Sequence, residues 1–377
     1  MKKIILVGIV QYFERYIKML DPAKTEVVGA MIWNIESSNL FQGSRIHSYE
    51  ELLSWEFDYI IVTNESASQA FDQMVSLGIS QERIINGVSY YKSFYFLNQI
   101  LSDRPIGLFI TGLSYAFGLR EHLIQANALN LAFAGQDLQL DYLLARALIE
   151  KRQGKLPKYA IVGLSYNSFD YDFWMTGEVD DQNIVKRRLL SWPGLVGRFY
   201  YSNKHTNTID ERFIRHPVKL VSQLLKQSDL FISPLLNPIW GFDANMELYR
   251  ATDSKKKIQS DQVTKMAIKV SNKHYPNSVQ HNVEVLKAYL TLLADNGIKP
   301  ILVVHPQRPV FVDHYSLDAI NRFRNIVSKM QTEFKFQIID CFASNMMNEE
   351  DFHDIDHLNK DAEERFSNYI LSAIEWD

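Results

Sequence analysis

The sequence predicts an α/β protein made of two successive units, each a parallel sheet covered by helices. Three observations carry this. Short apolar runs of strand length alternate with amphipathic helical stretches before residue 97, and the same alternation restarts after it. Continuous apolar strands separated by helices mark a parallel sheet buried on both faces. The rhythm then stops between Ser168 and about Met266, a stretch too long for an ordinary loop, and resumes to the C-terminus. Finally, 377 residues exceed what one core usually organises and call for two domains, placed here at 1–97 and 98–377.

In the first unit, Lys3–Val10 reads as a strand, and Tyr12–Leu20 as a helix with Tyr12, Tyr16, Met19 and Leu20 on one side. Glu26–Trp33 is a second strand, Tyr49–Ser54 a short helix and Asp58–Thr63 a third strand. Ala67–Leu77 is a helix stopped by Gly78, and Arg83–Asn86 a fourth strand. This is a small Rossmann-like pattern. Its first turn, Gly8-Ile9-Val10-Gln11-Tyr12-Phe13, lacks the glycine spacing that lets a backbone approach a pyrophosphate, so neither NAD nor any other cofactor is expected. A docking or oligomerisation role, giving a homo-oligomer, and recognition of a nucleotide-sugar or acyl-transfer partner are the two readings of this unit.

In the second unit, Gly107–Thr111 is a strand and Ser114 opens a helix through His122. Leu129–Ala134 is a strand, Leu138–Glu150 a helix and Lys158–Gly163 a strand. Val279–Asp295 is a long helix with Val283, Leu286, Leu290 and Leu293 on one face, stopped by Gly297. Lys299–Val304 is a strand, Ala319–Thr332 a helix, Phe336–Asp340 a strand and Lys360–Ile374 the last helix. Five strands with intervening helices predict a three-layer α/β/α domain. The interrupting segment, about 168–266, holds Trp192, Arg198, Phe199, Tyr200 and Tyr201 and the basic runs 186–188 and 255–257. It reads as a largely helical insertion covering the site end of the domain. Its aromatic residues suit a sugar-contacting lid or the core of a small helical subdomain.

Composition narrows the class. Hydrophobic residues at 46% and charged residues at 22% are those of a globular chain, and a formal net charge of −4 gives no broad attraction to nucleic acid or anionic lipid. The single cysteine, Cys341, excludes an internal disulfide and points to a reducing compartment. Lys2 and Lys3 precede an apolar run from Ile4 to Val10, but Gln11, Glu14 and Arg15 break it. It has the length of a buried strand, and no stretch approaches the roughly 18 apolar residues of a span. A cytoplasmic protein without a transmembrane segment is expected.

Two segments of the second unit carry residues suited to nucleophilic chemistry. In Ile110-Thr111-Gly112-Leu113-Ser114-Tyr115-Ala116 an apolar strand ends at a glycine and a serine sits at the start of a helix. A serine there is exposed at the carboxyl end of a strand, where open α/β sheets place their sites. A helix-capping serine needs nothing more than the helix start and is the plainer reading. In Asp351-Phe352-His353-Asp354-Ile355-Asp356-His357-Leu358-Asn359, Asp354 and His357 lie three apart in a turn, a spacing that lets a carboxylate hold an imidazole in one tautomer while the other ring nitrogen faces a hydroxyl. A solvated acidic turn and a metal site on His353, Asp354 and His357 are the alternatives. Gly135 and Asn167, each just past a strand, can offer a backbone N–H and an amide to an oxyanion, though such positions are ordinarily turns. His305-Pro306-Gln307-Arg308-Pro309 follows a strand and can line the same end of the sheet, with His305 substrate-facing or structural; capping accounts for Asn277, His281 and Asn282.

The order of these blocks resembles the SGNH (GDSL-like) hydrolase family: Ser after the first strand of the domain, Gly after the second, a polar donor after the third, and Asp-x-x-His before the final helix. The resemblance covers roughly residues 105–377 without the insertion. The block Asp354-Ile355-Asp356-His357-Leu358-Asn359 looks like that of SGNH-like proteins acting on bacterial surface polymers. Two positions depart from the family pattern: Leu113 stands before the serine where Asp is usual, and strict spacing from Gly163 reaches Ser165, with Asn167 two residues later. The resemblance implies a flavodoxin-like fold, Ser114 as nucleophile, His357 as base, Asp354 as its orienter, and Gly135 and Asn167 as the oxyanion hole. It also implies O-acyl transfer to, or O-deacylation of, a carbohydrate in surface polysaccharide biosynthesis, with a nucleotide- or lipid-linked sugar as substrate and an acyl donor as partner. A non-catalytic carbohydrate-binding or scaffold protein on a decayed fold of this kind is the alternative, and it predicts a Ser114 hydroxyl remote from His357.

Overall fold

A computed structural model of the chain describes residues 1–32, 43–63, 67–80, 83–86, 105–119, 127–132, 136–152, 154–171 and 258–376. These fall into two compact units, residues 1–86 in the first and residues 105–171 with 258–376 in the second. The expected boundary at 97/98 and the body of the expected insertion, residues 172–257 with their aromatic and basic clusters, lie outside the described residues.

The first unit contains β1 (Lys2–Gly8), α1 (Val10–Met19), β2 (Thr25–Ile32), β3 (Arg45–Ile46), α2 (Tyr49–Leu52), β4 (Tyr59–Val62), α3 (Ala67–Ser76) and β5 (Ile84–Asn86). Its strands form one parallel sheet in the order β3-β2-β1-β4-β5. The apolar run of β1 is buried on both faces because alternate residues feed different cores. Ile4 and Leu6 pack with Phe13 and Tyr16 of α1, whereas Ile5 and Val7 pack with Leu52, Ala70 and Met74 on the side of α2 and α3. The two-residue β3 was not expected from the sequence. It is too short to show alternation, and it forms because β2 presents an open edge, with Ala30 N–H donating to the Ser44 carbonyl at 2.9 Å.

The second unit contains β6 (Leu108–Gly112), α4 (Ser114–Phe117), β7 (Ala128–Asn130), α5 (Leu138–Lys151), β8 (Tyr159–Leu164), α6 (Ser260–Ser271), α7 (Pro276–Asp295), β9 (Lys299–Val304), α8 (Pro309–Asp313), α9 (Leu317–Glu333), β10 (Gln337–Asp340) and α10 (Lys360–Ala373). Its sheet is again parallel, in the order β10-β9-β8-β6-β7. Helices cover both faces. Leu108, Ile110, Ile161, Ile301 and Val303 point with period two toward Ala362, Phe366 and Ile370 of α10. Thr111 faces the other way and hydrogen-bonds Tyr289 of α7 at 3.0 Å, and α7 packs on α5. The chain direction across the sheet reverses at β6, which has β7 on one side and β8 on the other. Crevices at such reversals, outside the carboxyl ends of the strands, are where open α/β sheets hold ligands.

Three expectations change here. α6 (Ser260–Ser271) begins inside the range assigned to the insertion. No helix was expected at α8; Pro309, pre-set for a helix at its first position, starts a single turn after Arg308. Asn282 does not cap α7, whose N-cap is Tyr275. It is buried within the helix, and its amide donates to the carbonyls of Phe169 at 3.0 Å and Tyr171 at 2.9 Å, pinning the chain where it leaves β8.

Candidate active site

Ser114 is positioned by two glycines. Gly112 ends β6 at φ +141°, a conformation that L side chains rarely adopt, and it pairs in register with Gly163 of β8. A Cβ on Gly112 would lie 2.8 Å from Gly163 Cα, Gly163 O and Ala116 Cβ, and a Cβ on Gly163 would overlap Ala116. Two bare backbones thus let α4 settle onto the ends of the strands, and Ser114 is its first residue. The N-cap is Leu113, which makes no side-chain capping bond, so Ser114 is not the helix cap that the sequence allowed. Beneath the turn, Asp141 of α5 is buried, accepts the Gly112 N–H and is hydrogen-bonded by the Gln136 amide. Burial drives its carboxyl well above the ordinary range.

The second component is the segment entering α10. Phe352 and Leu358 form an antiparallel bridge, His353 N–H donates to the His357 carbonyl at 3.0 Å, and Asn359 caps α10 by accepting Ala362 N–H at 3.0 Å. Within this loop Asp354 Oδ1 accepts the backbone N–H groups of Asp356 at 3.0 Å and His357 at 2.7 Å. The His357 ring is then fixed at both nitrogens. Nδ1 lies 2.8 Å from Asp354 Oδ2, and Nε2 lies 2.7 Å from Ser114 Oγ. An ionised carboxylate only accepts, so Nδ1 carries the proton and the neutral ring offers its Nε2 lone pair to the serine hydroxyl. Side-chain exposures of 24% for His357 and 27% for Asp354 leave the group open to a substrate.

Burial disfavours charge on both members, yet each stabilises the other's charged form. Burial pushes His357 down, but hydrogen bonds to Asp354 and then Asp356, with their charges, raise it well above its ordinary value. Burial pushes Asp354 up, and the His357 ring and amide outweigh it, leaving the carboxyl below its usual range. The carboxylates thus favour the protonated ring and make its neutral form a stronger base than a free imidazole.

Two neighbours adjoin this group, of which Arg308 was assigned no role from the sequence. Arg308, 6% exposed, donates to the carbonyls of Asp354 (Nε, 2.9 Å), Glu349 (Nη1, 2.8 Å) and Phe352 (Nη2, 3.2 Å), and pairs with the Glu349 carboxylate at 2.9 Å. Its planar fork ties the Asp354–His357 loop to the end of β9. Its position beside a strand end was the only signal in the sequence. His305, read as substrate-facing or structural, is 4% exposed, its ring is tilted against that of Phe366 at 5.1 Å, and it is pushed down to about 3 by burial and then by the charge of His357.

The expected oxyanion donors are Gly135 and Asn167. Gly135 lies outside the described residues. Asn167 is four residues past Gly163, and its Oδ1 accepts the Ser165 hydroxyl, while Ser165 N–H donates to Ser168 Oγ at 2.9 Å. Among the described residues no hydrogen bond joins Asn167 to Ser114 or His357. The metal alternative changes its membership: the carboxylates and imidazole close enough to share an ion are Asp354, Asp356 and His357. His353 instead directs Nδ1 to the Leu358 carbonyl at 2.9 Å. Asp354 Oδ1 and Asp356 Oδ2 are already occupied, by backbone amides and by the Tyr115 hydroxyl respectively.

No helix among the described residues is long and apolar enough to cross a membrane. Residues 1–85 match a protein-family model described as C2185-like, N-terminal, a match that ends before the second unit begins. No curated protein matches the chain.

Proposed function

We propose that the second unit is an SGNH-like serine enzyme that forms and resolves an acyl-serine at Ser114, acting as an O-acyltransferase or O-acyl esterase on a carbohydrate. The observation that carries this is the continuous Ser114–His357–Asp354 hydrogen-bond relay, 2.7 Å and 2.8 Å, at the reversal point of the sheet. In the forward step neutral His357 Nε2 takes the Ser114 proton as Oγ attacks an ester carbonyl, and Asp354 stabilises the imidazolium. Collapse of the tetrahedral adduct expels the alcohol, which takes its proton from His357 Nε2. Water or a sugar hydroxyl then repeats the sequence on the acyl-serine, giving hydrolysis or transfer. Gly135 N–H and the Asn167 amide are the proposed oxyanion donors; Asn167 Oδ1 accepts the Ser165 hydroxyl, and its NH₂ group takes no part in that bond.

The carbohydrate substrate and the bacterial surface polysaccharide setting rest on the family resemblance of the Ser114 and Asp354–His357 blocks, and the cytoplasmic location on the single cysteine and the lack of an apolar stretch of membrane-spanning length. The strand order of the second unit, equivalent to 2-1-3-4-5, supports the flavodoxin-like reading, and 3-2-1-4-5 in the first unit supports a Rossmann-like domain. The first unit is proposed as a docking or oligomerisation domain. The non-catalytic alternative loses ground because it required a remote Ser114 hydroxyl. Labelling with a fluorophosphonate tests the proposal. Wild type is expected to label, and Ser114→Ala and His357→Ala to stay unlabelled. Absence of labelling in folded wild type across pH, or labelling that survives Ser114→Ala, overturns it.

A further inference from the structure

We propose that Asp356 is a second orienting carboxylate for His357, held in place by Tyr115, so that Nδ1 of the base is gripped from two sides. This rests on the reading of Ser114 as nucleophile. Asp356 Oδ1 lies 3.1 Å from His357 Nδ1, against 2.8 Å for Asp354 Oδ2. The far oxygen of Asp356 accepts the Tyr115 hydroxyl at 2.6 Å, and the Tyr115 ring sits 5.2 Å from the His357 ring. Tyr115 is the residue after the nucleophile. The contacts therefore close a ring: Ser114 to His357, His357 to Asp356, Asp356 to Tyr115, and Tyr115 back to Ser114 through the backbone.

Among the described residues the charged and titratable groups around His357 are few. Asp354, Asp356 and His353 come from the loop before α10, Tyr115 and Ser114 from α4, and His305 from the end of β9, where it is held neutral; Arg308 acts on the Asp354 carbonyl. Asp356 is thus one of two negative charges on the ring. It strengthens the base and defers its release from the imidazolium form to higher pH. A purely structural Asp356, present only to satisfy the buried Tyr115 hydroxyl, would leave the ring's titration where Asp354 alone puts it.

The experiment is an NMR titration of imidazole-labelled histidine, with the His357 resonance identified by its loss in His357→Gln. Asp356→Asn removes the charge and keeps an acceptor for Tyr115; Asp356→Ser serves if the amide variant does not fold. The His357 midpoint is expected to fall by about one pH unit or more relative to wild type. The alkaline-rising limb of fluorophosphonate labelling is expected to move with it, so labelling at neutral pH quickens up to about tenfold. An unmoved midpoint overturns the inference. A wild type that titrates but never labels sinks the nucleophile reading instead, and the ring titration still decides the role of Asp356.

Discussion

The first turn of each unit is the same piece of backbone carrying different residues. Gly8 closes β1 at φ +139° and Gly112 closes β6 at φ +141°, and in both a helix starts two residues later. The residue at that start is Val10 in one unit and Ser114 in the other. The partner in register also differs. Opposite Gly8 the neighbouring strand continues into Thr63, whose hydroxyl and N–H both bond the Val7 carbonyl, at 3.3 Å and 2.9 Å. Opposite Gly112 stands Gly163, and the space a side chain would fill is taken by Ala116 and the approach of His305. Among the described residues, only the second unit returns a loop, before α10, that brings an imidazole to the residue starting the helix. A shared architecture supplies an edge and a helix start; the chemistry depends on what is set there and on what comes back to meet it.

The sharpest break of this contrast is to exchange the two residues. Ser114→Val gives the second unit the residue of the first, and ester turnover and probe labelling are expected to drop on the order of 10⁴-fold or more. Val10→Ser is expected to confer no labelling, because a serine without a base is inert at neutral pH. Arg308→Met tests the returning loop. It strips three carbonyls and a carboxylate of a buried partner and is expected to cost about 4 kcal/mol in denaturant unfolding, with Arg308→Lys recovering part of it.

The glycines provide a smaller effect. Gly112→Ala meets the backbone of Gly163, which no trimming relieves, and is expected to destabilise by about 3 kcal/mol. Gly8→Ala meets the Thr63 hydroxyl at 2.5 Å, so Thr63→Ala in the same chain is expected to recover part of the loss. Equal costs with no recovery would remove the distinction between the two turns.

The smallest effect concerns His305. Its folded pKa is lowered, to about 3 from 6.5, so between those values the unfolded chain binds a proton that the folded one refuses. Stability therefore falls as pH drops through this window, by about 1.4 kcal/mol per pH unit at most. His305→Leu is expected to flatten the acid limb of a thermal-stability profile by about 2 kcal/mol between pH 6.5 and 5; an unchanged limb would mean that His305 takes up its proton in the folded state.

Much of the architecture was legible because burial on both faces of a parallel strand leaves a continuous apolar run. Ile4-Ile5-Leu6-Val7 and Ile301-Leu302-Val303-Val304 could be read as strands without knowing their neighbours. β3 and α8 were not legible: each is too short for its pattern to repeat, and each exists because an edge or a proline was already in place. Ser114, Asp354 and His357 stood out as residue types at telling positions, yet nothing in the chain order separated a capping serine from one aimed at an imidazole 243 residues away.

From residues alone came the alternation of strands and helices, the two-unit organisation and the short list of groups able to do nucleophilic chemistry. These are local properties, set by side-chain polarity, backbone permissiveness and spacing of a few residues. The folded chain decided the rest: which glycines let backbones touch, that Arg308 holds the loop, and that Asp356 and Tyr115 complete a ring around His357. Those are distances between segments far apart in sequence, and they follow from how the strands order themselves in the sheet.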